Sequence, residues 1–362
     1  SGVAGGQSGM VATRQQHRTT GTLRRLDHRT RRLVLRTLQP VARRMTYALQ
    51  QALTGESGMV IARFRQLRPR WLQALEALLA EVVTLAIKTA QQRFRRQVVR
   101  RYGIERSRRL FAADEAEGDD DGDDLPGIDE TLAGLLTRLL YQPDAWGLTP
   151  LERLTRQETL TSRELWGRLQ DTDRQWRDLL LLIGGLVYLQ GARLRQALRE
   201  IEREGRRALA GSPAHKRQLL DTLRHTQHAI KEDTPLDVRV IQELEKIVTE
   251  SRDAAREAIV AEQLEQRATR RAEVLLRTLA AQAYAQAMRA LAQRAGVQYM
   301  RWELSSGHPK PDICDEYAEE DQGYGEGVYP LEALPAFPAH PRCLCNLEIL
   351  WPETEDRGEE IP

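Results

Sequence analysis

Residues 305–350 read SSGHPKPDICDEYAEEDQGYGEGVYPLEALPAFPAHPRCLCNLEIL, and this stretch differs from the rest of the chain. It holds all three cysteines and two of the seven histidines, together with many prolines and glycines. Elsewhere the chain is rich in Ala, Leu, Arg, Gln and Glu, which favour helix. Because 29% of all residues are charged and only 5% are aromatic, we expect a soluble and mostly helical protein. The sequence therefore predicts a mainly α fold whose long helices form an extended body, followed by a small C-terminal α+β module.

A segment just before this stretch and another at its end have the composition of β-strands. VQYMRWEL at 297–304 alternates apolar and polar residues, and LCNLEILW at 344–351 is rich in β-forming residues. We expect the two to pair antiparallel and to bracket the loop that carries the cysteines and histidines. A short strand pair of this kind completes the predicted module.

The loop contains five side chains that could bind a metal ion: His308, Cys314, His340, Cys343 and Cys345. Zinc prefers four nitrogen or sulfur ligands in a tetrahedron, and structural zinc sites close all four positions with protein atoms. The spacing predicts structural zinc on Cys314, His340, Cys343 and Cys345, with His308 as the alternate ligand. Two alternatives remain open: a disulfide from Cys314 to Cys343 or Cys345, and thiols with a purely structural role beside turn-forming His-Pro pairs.

The helical part shows apolar residues at three- and four-residue steps from Leu23 to Leu53. Pro40 should kink or divide this helix, and a second helix should begin at Pro69 and stop at Gly103. Further helices are predicted to begin at 149–152, where Thr, Pro and Glu form a capping pattern, and at 234–237. The helix that begins there should continue, broken or unbroken, to Gly296.

The charge is divided unevenly along the chain. Residues 1–113 contain 23 Lys and Arg against 5 Asp and Glu, whereas the rest of the chain is net acidic. The predicted division is a disordered lead-in at 1–22, a basic helical arm at 23–113, an acidic linker at 114–127, a helical body at 128–296, the C-terminal module at 297–351 and a disordered tail at 352–362.

A basic arm of this size indicates a polyanionic partner. We predict binding to double-stranded DNA without sequence preference, because the arm contains no base-reading motif and few aromatic residues for base stacking. The predicted contacts are Arg24, Arg25, Arg31, Arg32, Arg36, Arg43, Arg44, Arg93, Arg95, Arg96, Arg100 and Arg101.

Neither a secretory signal nor a membrane span is expected. The first ten residues lack a basic start and an apolar core. The longest apolar run, at 179–189, is far shorter than the ~20 residues that span a bilayer, so we interpret it as a buried helix. Three cysteines close together in sequence are not a disulfide framework and are typical of a reducing compartment.

The C-terminal motifs resemble those of a known family. A helix followed by AGVQYMRWELS at 295–305, then Asp312-x-Cys314 and PAHPRCLC at 338–345, is similar to the C-terminal module of the Mu F-like minor head proteins of tailed bacteriophages, also called head morphogenesis proteins. The resemblance covers about residues 270–350. Two positions depart from the family pattern: Leu279 follows Arg277 and Thr278 where the family has an acidic residue, and Tyr317 stands where it often has a second cysteine.

The resemblance implies a minor capsid component without catalytic activity, assembled in the host cytoplasm and present in a few copies. It would bind the portal protein, with the major capsid or scaffolding protein as further partners. In the virion it would lie at the portal vertex inside the capsid, against packaged DNA. The rival interpretation is a metal-dependent hydrolase or nuclease, in which His308, Asp312 and His340 join the cysteines around a catalytic zinc and a nearby Glu acts as base.

Overall fold

A computed structural model describes the backbone of residues 8–52, 57–112, 134, 137–138, 140–141, 143, 148–230, 236–305, 308 and 311–352. The helices are α1 (Ser8–Gln50), α2 (Ser57–Ala112), α3 (Pro150–Gly185), α4 (Gly191–Ala208), α5 (Pro213–Ala229), α6 (Val238–Ala261), α7 (Thr269–Arg294) and α8 (Ile313–Glu319). A 3₁₀ turn (Leu186–Tyr188) follows α3, and a π-helical segment (Glu262–Ala268) joins α6 to α7. The strands are β1 (Tyr299–Glu303), β2 (Val328–Pro330) and β3 (Asn346–Leu350). The predicted fold class, mainly α with a small C-terminal α+β module, is confirmed.

Prolines end neither of the first two helices. Pro40 lies inside α1, and α2 begins at Ser57 with Pro69 in its interior, so the prediction that α2 starts at Pro69 is wrong. A proline removes one backbone hydrogen bond from a helix. Burial of Phe64 before Pro69 and of Trp71 after it offsets that cost. Gly103, with φ 80°, interrupts the helical geometry of α2 where the sequence predicts the end of the helix, but the helix resumes and continues to Ala112.

The predicted helix starts are found where the capping residues indicate. At the start of α3, the Thr149 amide donates to Glu152 Oε2 at 2.7 Å and the Glu152 amide donates to Thr149 Oγ1 at 3.2 Å. This reciprocal pair satisfies two amides that a helix leaves free. Asp237 caps α6 by accepting from the Arg239 amide, whereas 234–235 lie outside the described residues. Gly296, with φ 70°, follows the end of α7.

Not every predicted boundary lies within the described part of the chain. Helix α1 begins at Ser8, inside the segment 1–22 that the sequence predicts to be a disordered lead-in. The acidic linker at 114–127 and most of the tail, 353–362, lie outside the described residues.

The chain divides into two compact units. One unit consists of 1–37, 74–154 and 271–362, and the other of 38–73 and 155–270. The core of the second unit is a cluster of Leu, Ile and Val side chains around Trp176 from α3 to α6. The apolar run at 179–189 contributes to it through Leu179, Ile183 and Leu186, while Leu181 and Tyr188 are exposed. The run is therefore one buried face of a helix rather than a fully buried helix. Among the described helices, none combines the length and apolar character that a membrane crossing needs.

The C-terminal module of the first unit contains an antiparallel sheet in the order β2-β1-β3. The predicted pairing of the two flanking strands is confirmed: Tyr299 lies opposite Leu350 and Glu303 opposite Asn346. The third strand, β2, was not predicted. It comes from the glycine-rich part of the loop and pairs with the other edge of β1. The Cys/His loop begins after β1 and ends before β3. Because these two strands pair, the sheet brings the two ends of the loop close together.

Candidate metal centre

Cys314 is placed by the first turn of α8. Asp312 is the N-cap residue, and its carboxylate accepts a hydrogen bond from the Cys314 amide at 2.7 Å. Asp315 returns the interaction by accepting from the Asp312 amide at 2.7 Å, which completes a capping box. Capping fixes the start of a helix this short. The Cys314 side chain is fully buried at that start.

The other ligands precede β3 in a tight turn. The Cys343 amide donates to the His340 carbonyl at 3.1 Å, and Arg342 has a left-handed backbone with φ 65°. This turn lies immediately before the strand, so pairing of β3 with β1 also positions Cys343 and Cys345. Both cysteines are buried. Two elements far apart in sequence thus bring their thiols to one place.

Cys314, His340 and Cys343 form a cluster that could hold a metal ion, because one ligand atom from each lies within 4.8 Å of the others. The sulfur atoms of Cys314 and Cys343 are 3.6 Å apart. All three cysteines are free thiols, so the structure does not contain the disulfide considered as an alternative. Two soft sulfur atoms and an imidazole nitrogen are ligands that zinc accepts.

His340 and His308 each have one ring nitrogen near a carbonyl or carboxylate oxygen outside the proposed ligand set. His340 Nδ1 lies 3.0 Å from the Pro341 carbonyl. Its buried Nε2 makes no hydrogen bond of good geometry to a described residue, although Asp312 Oδ2 is 3.2 Å away. His308 Nε2 lies 2.8 Å from Asp315 Oδ2, and its Nδ1 is 3.9 Å from Cys345 Sγ. A carbonyl or carboxylate behind the imidazole is the usual outer support of a metal-binding histidine.

The Cys314 and Cys345 thiols are protonated at neutral pH when no cation is present. Burial, followed by the neighbouring Cys345, raises the pKa of Cys314 well above that of an ordinary thiol. The side-chain hydrogen bond with Cys343 and, to a smaller extent, burial raise the pKa of Cys345 well above that of an ordinary thiol. For His308, burial alone lowers the pKa, but the bond to Asp315 and nearby negative charges more than offset it, so the pKa is raised. A metal that binds here must displace protons.

Three glutamates were considered as the base of the rival hydrolase. Glu316 and Glu319 are exposed on α8. Glu320 accepts a hydrogen bond from the Tyr329 hydroxyl at 2.9 Å and another from Gln322. Buried, thiol-rich ligand sets are typical of structural metal sites, whereas catalytic zinc keeps an open position and a base.

Of the arginines predicted to bind DNA, Arg93 is misassigned. Its side chain is buried, and it donates to the Tyr284 hydroxyl at 2.5 Å and to Asn346 Oδ1 at 2.9 Å. Arg31 is exposed but pairs with Glu273 at 3.3 Å, and Arg43 lies 3.9 Å from Glu265. The exposed side chains are Arg24, Arg25, Arg31, Arg32, Arg36, Arg43, Arg44, Arg95, Arg96, Arg100 and Arg101.

Two sets of contacts are not predicted by the sequence. Arg277, which lacks an acidic residue at 279, has its partners elsewhere: Asp27 on α1 through two short contacts and Glu273 at 2.9 Å. Burial alone lowers the pKa of Arg277, and these bonds reverse the effect and raise it. Asn346 is fully buried and links Arg93 to Glu303. Only the position of Asn346 directly after Cys345 could have indicated its importance.

Comparison of the chain with protein-family models, with curated proteins and with solved structures finds no match.

Proposed function

We propose that this protein is a non-catalytic structural protein whose C-terminal module is closed by one zinc ion. The proposed ligands are Cys314, Cys343, Cys345 and His340, with His308 as the alternate to His340. The single observation that supports this most directly is the meeting of buried, free thiols from α8 and from the turn before β3 beside an imidazole. Soft sulfur ligands favour zinc over the hard cations that oxygen ligands select.

The need for such a closure follows from the composition of the loop. The described residues between β1 and β3 form one short helix, one short strand and long irregular stretches. Ordering each residue costs about 1–2 kcal/mol of conformational entropy, which a few buried side chains in a loop do not offset. A structural zinc site contributes about 10 kcal/mol or more at neutral pH. The proposed ion therefore has a clear stabilising role that requires no chemistry.

Within this proposal the protein serves as a minor head protein of a tailed bacteriophage. Support comes from the resemblance of residues 270–350 to the Mu F-like module and from long helices, which offer surfaces for helix packing. The proposed partners are the portal protein and the major capsid or scaffolding protein. A few copies would lie at the portal vertex, inside the virion capsid.

The proposed contact with packaged DNA rests on the exposed arginines of α1 and α2. Arginines that neutralise phosphates release condensed counterions, so binding should be non-specific and should weaken as salt rises. The proposal uses the eleven exposed arginines and leaves out Arg93, whose side chain is already engaged inside the module.

Metal analysis, co-expression and virion composition test the proposal. Elemental analysis of protein purified without chelator should find one zinc per chain, and Cys343→Ser should abolish binding while the helices persist by circular dichroism. A protein without metal, or one whose metal keeps a bound water and supports hydrolysis, would contradict the closed structural site. Co-expression with the portal protein of the same phage should give a complex, and mass spectrometry of purified virions should find the protein. Its absence from virions would refute the assignment.

A further inference from the structure

The arginine-rich turns of α2 lie on the same helical segment that packs against the C-terminal module. Arg95, Arg96, Arg100 and Arg101 are exposed, whereas Phe94 and Val98 are buried. The segment 93–102 thus combines exposed positive charge, which can attract a polyanion, with buried side chains that hold the segment in place.

The first link between segment and module is a buried polar chain. Arg93 donates to Asn346 Oδ1 at 2.9 Å, and Asn346 Nδ2 donates to Glu303 Oε2 at 2.9 Å. Asn346 directly follows Cys345 and is the first residue of β3. The backbone that carries a proposed ligand is therefore bonded, through one side chain, to the helix that carries the arginines.

The second link lies just after β3. The Trp351 ring contacts Phe94 and Tyr102, with ring centroids 5.6 Å and 5.7 Å apart. Arg101 donates to the carbonyl of Pro352 at 3.4 Å. Residues 346 and 351–352 thus contact the arginine-bearing turns at both ends of the segment 93–102. Loss of order between Cys343 and Pro352 would release these contacts.

We propose that metal binding at the cysteine cluster and polyanion binding at Arg95, Arg96, Arg100 and Arg101 are coupled, because β3 and Trp351 hold the arginine-bearing turns of α2. This inference rests on the proposed function. Metal binding orders the segment that ends at β3, and the ordered segment holds the arginines in one arrangement. By thermodynamic reciprocity, a bound duplex then strengthens metal binding by the same factor.

The test uses the full chain and a short labelled DNA duplex at constant salt. Fluorescence anisotropy measures duplex affinity for zinc-loaded protein and for protein stripped with a chelator, and a chromophoric chelator measures zinc affinity with and without duplex. We expect both affinities to rise about five-fold or more in the presence of the other ligand. Asn346→Leu should keep one zinc per chain and bring the ratio towards one. Arg207→Gln, an exposed arginine of the other unit, should leave the ratio unchanged.

A second measurement covers the case in which Asn346→Leu fails to fold. Hydrogen exchange of the wild-type chain should become faster in residues 93–102 when zinc is removed, and Trp351→Leu should reproduce the effect with zinc present. Equal duplex affinity with and without zinc, when both ligands bind, would overturn the coupling alone. No duplex binding in either state would overturn the proposed DNA contact, and no zinc binding would overturn the proposed metal site, each together with the coupling.

Discussion

Replacement of Gly327 by alanine should disrupt the module, and the expected cost can be worked out from the backbone. Gly327 has φ 66°, which costs a residue with a Cβ about 1–2 kcal/mol. A Cβ there would lie 2.8 Å from the Ala318 carbonyl oxygen and 3.1 Å from that of Trp302. Backbone atoms cannot swing aside as a side chain can, so overpacking adds about 1–3 kcal/mol. The total expected loss of stability is about 2–5 kcal/mol.

Gly323 provides the matched control for this prediction. It has φ 91°, but a Cβ there meets nothing within 4 Å. Gly323→Ala should therefore show only the conformational cost of about 1–2 kcal/mol. The comparison separates left-handed strain from steric overlap within the same loop.

The assay should read the stability of the module separately from the helices. Native-state hydrogen exchange at β1 and α8 gives a local free energy of opening, and competition with a chelator gives the zinc affinity. The Gly327 amide donates to the Glu320 carbonyl at 2.8 Å, and its own carbonyl accepts from the Trp302 amide at 2.7 Å. Gly327→Ala should consequently displace α8, which carries Cys314, and weaken zinc binding. If it costs no more than Gly323→Ala in both measurements, the steric argument is wrong.

Three further predictions concern the metal, an ion pair and DNA. Zinc affinity should fall as pH falls, because the raised pKa values of Cys314 and Cys345 keep both thiols protonated and zinc must displace those protons. The expected decrease is up to about one order of magnitude per pH unit for each proton displaced. A pH-independent affinity in a chelator competition would contradict thiolate ligation. Arg277→Met should lower the free energy of unfolding by about 2–4 kcal/mol in denaturant titrations, because the mostly buried carboxylate of Asp27 then loses its ion-pair partner. The control Arg224→Met, which removes an exposed ion pair with Asp221, should lower it by about 0.5 kcal/mol or less. Equal effects would refute the distinction between the two pairs. Affinity for duplex DNA should decrease steeply and log-linearly with salt concentration and should not depend on sequence, which titrations with unrelated duplexes would check.

Much of the helical architecture follows from local signals. Apolar spacing places α1, and the reciprocal bonds of Thr149 and Glu152 start α3 where the capping pattern indicates. Local signals fail at Pro69, because burial on both sides of the proline outweighs the loss of one hydrogen bond. They also miss β2, because a three-residue strand within glycine-rich sequence is stabilised by its neighbour β1 rather than by its own composition.

The sequence by itself determined which chemistry this protein can carry: all of its thiols lie within residues 314–345, close to segments of β-forming residues, and its excess of basic over acidic residues lies in residues 1–113. Only the tertiary structure decided which of those residues meet. It brings the free thiols of Cys314 and Cys343 to within 3.6 Å of each other. It also pairs Arg277 with Asp27, which lies near the other end of the chain, and buries Arg93 against Asn346. The physical reason is that spacing along a chain reports local geometry, whereas burial and ion pairing depend on which elements pack together. The sequence alone therefore does not distinguish an arginine that faces solvent from one that is buried.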